Sequence, residues 1–187
     1  MLLPIVAYGD AVLKKVAQNI TPDYPDLAQL IANMYETMEN ASGVGLAAPQ
    51  IGLSIRLFVV NAEPFDPENY TGYLKTFINA EITDESEEET EFNEGCLSIP
   101  EVRGIVFRPE KILMRYCDEN FVQHEAWFEG IPARIIQHEY DHIEGVLFTD
   151  YLSPLKRRLI QKQLIKISSG MVDVDYKMRF PNKSLRR

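Results

Sequence analysis

An α+β fold follows from three features of this sequence. Segments rich in β-branched and aromatic residues gather in the middle of the chain, two helical segments follow them, and the two kinds do not alternate as a parallel βαβ chain requires. Antiparallel sheets are therefore expected to pack around a central helix, with one more helix toward the C-terminus. The length of 187 residues, with 45% hydrophobic and 25% charged positions, suits one globular domain with a sizeable core. Such a core needs neither a disulfide nor a structural metal to fold.

Residues 1–10 carry no basic stretch ahead of an apolar core, so they do not read as a secretory signal, and no apolar run is long enough to span a membrane. A cytoplasmic protein is expected, in which the two cysteines stay reduced. Over residues 26–38, Leu27, Leu30, Ile31, Met34 and Met38 recur at helical spacing behind Pro25, which predicts a first amphipathic helix. Residues 43–52 follow as a loop of small residues. Strands are expected over 55–60, 76–83, 111–117 and 122–129, the last two joined by a turn at Asp118-Glu119-Asn120. The acidic run over 84–91 reads as a solvated edge or loop. An extended stretch over 93–100 is expected to end at Pro100. A helix should run from near Pro132 through His142 and stop at Gly145. Ser153 and Pro154 form a cap and first turn for a last helix reaching about Ile167.

The net charge of −9 argues against a general nucleic-acid binder, although Lys156, Arg157, Arg158, Lys162 and Lys166 gather on the last helix. The sharpest local signal is His138-Glu139-Tyr140-Asp141-His142, an H-E-x-x-H pattern. Residues four apart share one helix face, so both imidazoles can reach one ion while Glu139 stands beside it as a base for water. The bland alternative is a solvated helix face. H-E-x-x-H peptidases take a third ligand well downstream, but no histidine follows His142, and Glu144 is too close to wrap back. Cys96, in Glu94-Gly95-Cys96-Leu97-Ser98, is the natural candidate. A thiolate with two neutral imidazoles leaves a fourth position open, as a catalytic site requires. Cys117 reads as a small buried hydrophobe and His124 as a surface strand histidine. The loop over 43–52 lacks the lysine of a phosphate cradle; its glycines permit close approach of a peptide, and Gln50 offers a side-chain amide to a developing oxyanion.

Three segments, residues 43–52, 94–100 and 137–145, resemble in order and separation the signature motifs of the peptide deformylases, and the likeness runs to about residue 168. The resemblance implies a metallo-amidohydrolase that removes the N-formyl group from the initiator methionine of newly made polypeptides and releases formate. It makes Cys96, His138 and His142 the metal ligands, Glu139 the acid/base, and Gln50 with the Leu97 N–H the oxyanion donors. It also implies Fe(II) in the cell, with Ni(II), Co(II) or Zn(II) as substitutes. Residues 1–168 would form the catalytic domain. Residues 169–187 would be a tail without a family counterpart, extended or poorly ordered.

The substrate would be an N-formylmethionyl peptide bound in extended form by Val44, Gly45 and Gly95. Ile131 and Ile135 could line a methionine pocket or simply the core, and Arg103 could stand at its rim. Arg134, between the two isoleucines, is a surprising residue for that place. The basic last helix suggests transient ribosome contact, or a plain solvated face; neither DNA nor membrane is an expected partner. Two rival functions predict different behaviour. In an endopeptidase of the H-E-x-x-H type, Cys96→Ser would keep metal affinity; in a non-catalytic metal-binding module, Glu139→Gln would change nothing but charge.

Overall fold

The computed structural model describes residues 1–181. In chain order these form β1 (Ile5–Val6), α1 (Leu27–Asn40), β2 (Gly45–Ala47), β3 (Leu57–Asn61), β4 (Leu74–Glu85), β5 (Glu89–Cys96), β6 (Ile99–Pro109), β7 (Lys111–Cys117), β8 (Gln123–Glu129), α2 (Gly130–Ile143), α3 (Pro154–Ser168) and β9 (Met178–Arg179). The order β2-β3-β4-β7-β8 makes a five-stranded antiparallel sheet, β5-β6 is a separate antiparallel pair, and β1 pairs with β9 in parallel.

The five-stranded sheet is covered on both faces, and β3 shows why. Successive strand residues point to opposite faces. Phe58 and Val60 join Phe77, Met114, Ala133, Ile136 and Ile143 on the side of α2, whereas Leu57 and Val59 join Ile31, Met34 and Met38 of α1. A strand buried on both faces reads as a continuous apolar run, which Leu57-Phe58-Val59-Val60 is. Phe58 stacks on Phe77 with ring centroids 4.8 Å apart, and Phe77 meets Tyr116 at 4.5 Å. Burial of each such ring contributes roughly 2 to 3 kcal/mol.

A third cluster joins Val102 and Val106 of β6 to Val6, Phe148, Leu152 and the Leu164 and Ile167 face of α3. Between this cluster and the sheet lies α2, buried on almost every side. Its Ala133, Ile136 and Ile143 face the sheet, and Arg134, His138 and Asp141 bond to residues of the β5–β6 pair. The helix ends where expected: Gly145 has φ +73°, and a Cβ there would lie 2.8 Å from the Lys14 carbonyl carbon, so only glycine fits. At α3 the Ser153 side chain accepts from Lys156 N, the cap read from the sequence.

Several local expectations are corrected. Residues 45–47, read as loop, form the edge strand β2, and residues 48–51 make a 3₁₀ turn. The acidic run contains the end of β4, a tight turn and the start of β5. Pro100 does not end the extended stretch; it is the second residue of β6, near a strand start, where its missing N–H is tolerated. The helix begins at Gly130 rather than Pro132, with Gly130 at φ +62° turning the chain straight out of β8. The tail is ordered and extended as far as the described residues go, because β9 pairs with β1; residues 182–187 lie outside them. Among the described residues, no helix is long and apolar enough to cross a membrane.

Candidate metal centre

Cys96, His138 and His142 come together: one ligand atom from each lies within 4.8 Å of the others. The two histidines owe this to their i, i+4 spacing on α2. Cys96 owes it to a break in strand register. Along β5–β6 the pairing runs regularly to Gly95 opposite Arg103, then jumps to Cys96 opposite Ile99. Such irregularities re-aim a side chain, and here the thiol turns toward α2, with Sγ 3.3 Å from His142 Nε2.

His138 is oriented from behind. Its Nδ1 lies 2.9 Å from Glu94 Oε2. Burial alone would raise the pKa of Glu94, but hydrogen bonds from His138 and Arg108 outweigh it and hold this carboxyl well below the usual carboxylate range. An ionised carboxylate only accepts, so the proton of the neutral ring sits on Nδ1 and leaves the Nε2 lone pair for an ion. Glu94 is the hub of a buried network. Its Oε1 accepts from Arg108 Nε at 2.6 Å and Arg134 Nη1 at 3.2 Å, and its Oε2 from Arg108 Nη2 at 3.0 Å. Arg108 Nη1 donates to Asp141 at 2.7 Å, and the Tyr151 hydroxyl donates to the other Asp141 oxygen at 3.1 Å. Two carboxylates thus face two guanidiniums within one closed set of bonds, the condition under which buried charge is tolerated.

The donor set fits a divalent cation. One thiol and two imidazoles, with His138 Nδ1 turned to Glu94 so that Nε2 can ligate once it gives up its proton, match the three-ligand sets of catalytic zinc-type sites. Burial, as the largest influence, drives the pKa of His142 well below its ordinary value, so its ring is neutral as ligation requires.

Glu139 is 4% exposed. Burial pushes its pKa up to about 7 against the lowering influence of His138. Its Oε2 is buried and has no hydrogen-bond partner among the described residues. On its other side stands Gly45, where any Cβ would run into the Glu139 carboxyl. Gln50 is fully buried. Its Oε1 accepts from Ala47 N at 2.8 Å, which directs Nε2 to within 3.5 Å of Cys96 Sγ and of Ser98 Oγ. Leu97 and Ser98 form the two-residue turn between β5 and β6.

A cleft of about 770 Å³ opens onto this cluster, lined among others by Val44, Gly45, Gln50, Gly95, Cys96, Leu97, Arg103, Ile135, His138 and Glu139. On one side runs β2, an edge strand of the large sheet; on the other runs β5. Arg103 is exposed at the rim and bonds to Asn93 O. Ile131 is not among the lining residues: it sits in the first turn of α2, one turn short of the cleft, and packs against the core of the large sheet. Arg134 does line the cleft, but its charge turns inward to Glu94, Thr90 O and Val106 O. Reasoning from sequence missed Glu94, Arg108 and Asp141 as supports of the site. The available signal was a pair of acids, each close to a proposed ligand in sequence. Glu144 bonds to Arg56 and takes no part.

A family model described as polypeptide deformylase matches residues 2–158. The peptide deformylase of Flavobacterium johnsoniae is 56% identical over 189 residues, covering 96% of either chain. That of Christiangramia forsetii is 55% identical over 196 residues, all of both chains. The crystal structure of a peptide deformylase from Legionella pneumophila superposes with a TM-score of 0.80 at 38% identity, covering 91% of this chain and 98% of that one.

Proposed function

The chain belongs to the peptide deformylase family and removes the N-formyl group from nascent polypeptides; we propose that it does so with Glu139 as acid/base beside a divalent ion held by Cys96, His138 and His142. The observation that carries this reading is the convergence of those three ligand atoms next to a buried carboxyl with one free oxygen. Fe(II) is the proposed ion in the cell, with Ni(II), Co(II) and Zn(II) as substitutes that the same soft and borderline donors accept.

A bound divalent ion supplies Lewis acidity, which acidifies water and polarises a carbonyl. Glu139 takes a proton from the attacking water and returns it to the departing amine. Burial raises its pKa above the usual carboxylate range, which favours its holding the proton between the two transfers. The water oxygen bonds to the formyl carbon, the C–N bond breaks, and formate and a free amine leave. Gln50 Nε2 and the Leu97 N–H donate to the oxyanion as it forms, each worth on the order of 3 kcal/mol in comparable acyl chemistry. The bond from Ala47 N to Gln50 Oε1 supports this role, since it holds the amide with its donor end forward.

The peptide lies extended between β2 and β5 and pairs with Val44, Gly45 and Gly95 as an added strand. Gly45 serves a second purpose, because any side chain there would displace Glu139. Ile135 and Val44 contribute apolar surface for the methionine side chain, and Arg103 forms the rim. The catalytic domain is assigned to residues 1–168 and the reaction to the cytoplasm.

Protein purified without oxygen and loaded with Ni(II) or Fe(II) is expected to release formate from formyl-Met-Ala-Ser. No formate despite bound metal would overturn the reading and bring an endopeptidase or a metal-binding module forward.

Ribosome contact is proposed for α3, whose Lys156, Arg157, Arg158, Lys162 and Lys166 are all exposed while Leu164 and Ile167 bury the opposite side. Reversing the charge of Lys156, Arg157 and Arg158 should weaken salt-sensitive co-sedimentation with ribosomes. Unchanged sedimentation would refute the contact.

A further inference from the structure

After α3 the chain reverses at Gly170, φ +73°, and runs back across the mouth of the cleft, where Asp173, Val174, Asp175 and Tyr176 form part of the lining. It then enters β9, whose pairing with β1 is reinforced by Ile5 N to Lys177 O at 2.8 Å and Ala7 N to Arg179 O at 2.9 Å. The two ends of the chain are thereby joined beside the site.

This joined pair grips the Leu97-Ser98 turn from both sides. The Tyr176 hydroxyl donates to the carbonyl of Leu97 at 2.8 Å, and Tyr8 N, at the exit of β1, donates to the carbonyl of Ser98 at 2.8 Å. Both carbonyls of a two-residue turn are therefore held by the terminal segments. Arg179 extends the grip to the neighbouring turn: its guanidinium pairs with Asp10 at 3.5 Å and fills the space in front of Gly52, just past Gln50.

We propose that this C-terminal strap is a positioning element of the active site, and that Tyr176 aligns the Leu97 N–H on the oxyanion through the Leu97 carbonyl. The proposal rests on the reading of Leu97 as an oxyanion donor. Each peptide unit is planar, so the Leu97 N–H turns only with the whole Cys96–Leu97 peptide plane, about ψ of Cys96 and φ of Leu97. Fixing the carbonyl plane on one side of Leu97, with Cys96 fixed on the other, leaves that N–H little freedom. Donors of this kind act only over a narrow range of distance, about 2.7 to 3.1 Å from the oxyanion. Burial, and secondarily the nearby Cys96, push the Tyr176 hydroxyl pKa up to about 12, so the phenol keeps its proton at any working pH.

The test is Tyr176→Phe, which keeps the ring and removes the donor. Steady-state kinetics of the Ni(II)-loaded protein on formyl-Met-Ala-Ser are compared with wild type, beside metal content, affinity for the product Met-Ala-Ser, and amide hydrogen exchange at Leu97. Loss of a whole oxyanion donor costs about 10²- to 10³-fold in kcat, and a loosened one should cost about 10-fold. The expected result is that drop in kcat with KM, product affinity and metal content unchanged, and faster exchange at Leu97. An unchanged kcat overturns the proposal. So does a change confined to KM and product affinity, which would make the strap a wall of the groove and nothing more. A wild-type protein that releases no formate is a separate failure: it removes the deformylase reading, and this inference with it.

Discussion

Glu139→Gln is expected to keep its metal and lose its reaction. The substitution is nearly isosteric, and Glu139 is outside the ligand set, so metal content measured by elemental analysis should match wild type. The amide can neither take the proton from water nor hand it to the amine. General acid–base catalysis of this kind contributes about 10²- to 10⁴-fold, and because one residue serves both transfers, a loss toward the upper end is expected in kcat, read as formate released from formyl-Met-Ala-Ser. The burial that raises the pKa of Glu139 also keeps bulk water from replacing it. Retention of more than about a third of wild-type kcat would show that another group carries the proton. Loss of metal together with activity would instead place Glu139 among the ligands.

Arg108→Met is expected to destabilise the fold by several kcal/mol, about 3 to 5. Arg108 is 3% exposed and bonds both Glu94 and Asp141. Methionine fills much of its space and removes the charge, stranding two carboxylates in the interior. Removing one partner of a buried ion pair costs about 3 to 5 kcal/mol. The two acids are not left equal. Glu94 keeps Arg134 at 3.2 Å and His138, whereas among the described residues Asp141 keeps only the Tyr151 hydroxyl at 3.1 Å. Denaturant unfolding checks the magnitude. A metal titration checks the second consequence, since a Glu94 no longer clamped by Arg108 orients His138 poorly, and partners of a ligating histidine are worth about 10- to 100-fold in metal affinity. A loss of stability below about 1 kcal/mol would mean that the network relaxes around the gap and that Arg108 is not its anchor.

The contrast between these two residues also shows where the sequence was legible. Glu139 stands inside a five-residue pattern whose geometry is that of a single helix, so its place beside two histidines could be derived without a fold. Arg108 stands in β6, where alternation misleads: the apolar Ile105 and Phe107 face solvent, 55% and 56% exposed, while the charged Arg108 points inward. Val102 and Val106 on the inward side still meet an apolar cluster, and only at Arg108 does that side reach the buried charges of Asp141 and Glu94. Arg134 likewise looked misplaced among isoleucines, and its bonds to Glu94, Thr90 and Val106 explain it. Edge strand β2 was hidden in a run of small residues that reads as a loop, since its strand character comes from pairing with β3.

What the sequence alone determined is what short-range interactions control. The presence and approximate place of the three helices, the cap at Ser153, the stop at Gly145 and the facing of His138 with His142 all depend on contacts within a few residues, and the motifs over 43–52, 94–100 and 137–145 carried the family with them. Apart from Cys96, already legible as the third ligand from its motif, what joins distant parts of the chain was decided by the tertiary structure. It set Glu94 behind His138 and folded the last strand back beside the first to hold the turn at Leu97. Pairings of that kind depend on which surfaces the folded core leaves adjacent and which buried charges must find partners, and neither is encoded in the spacing of residues along one segment.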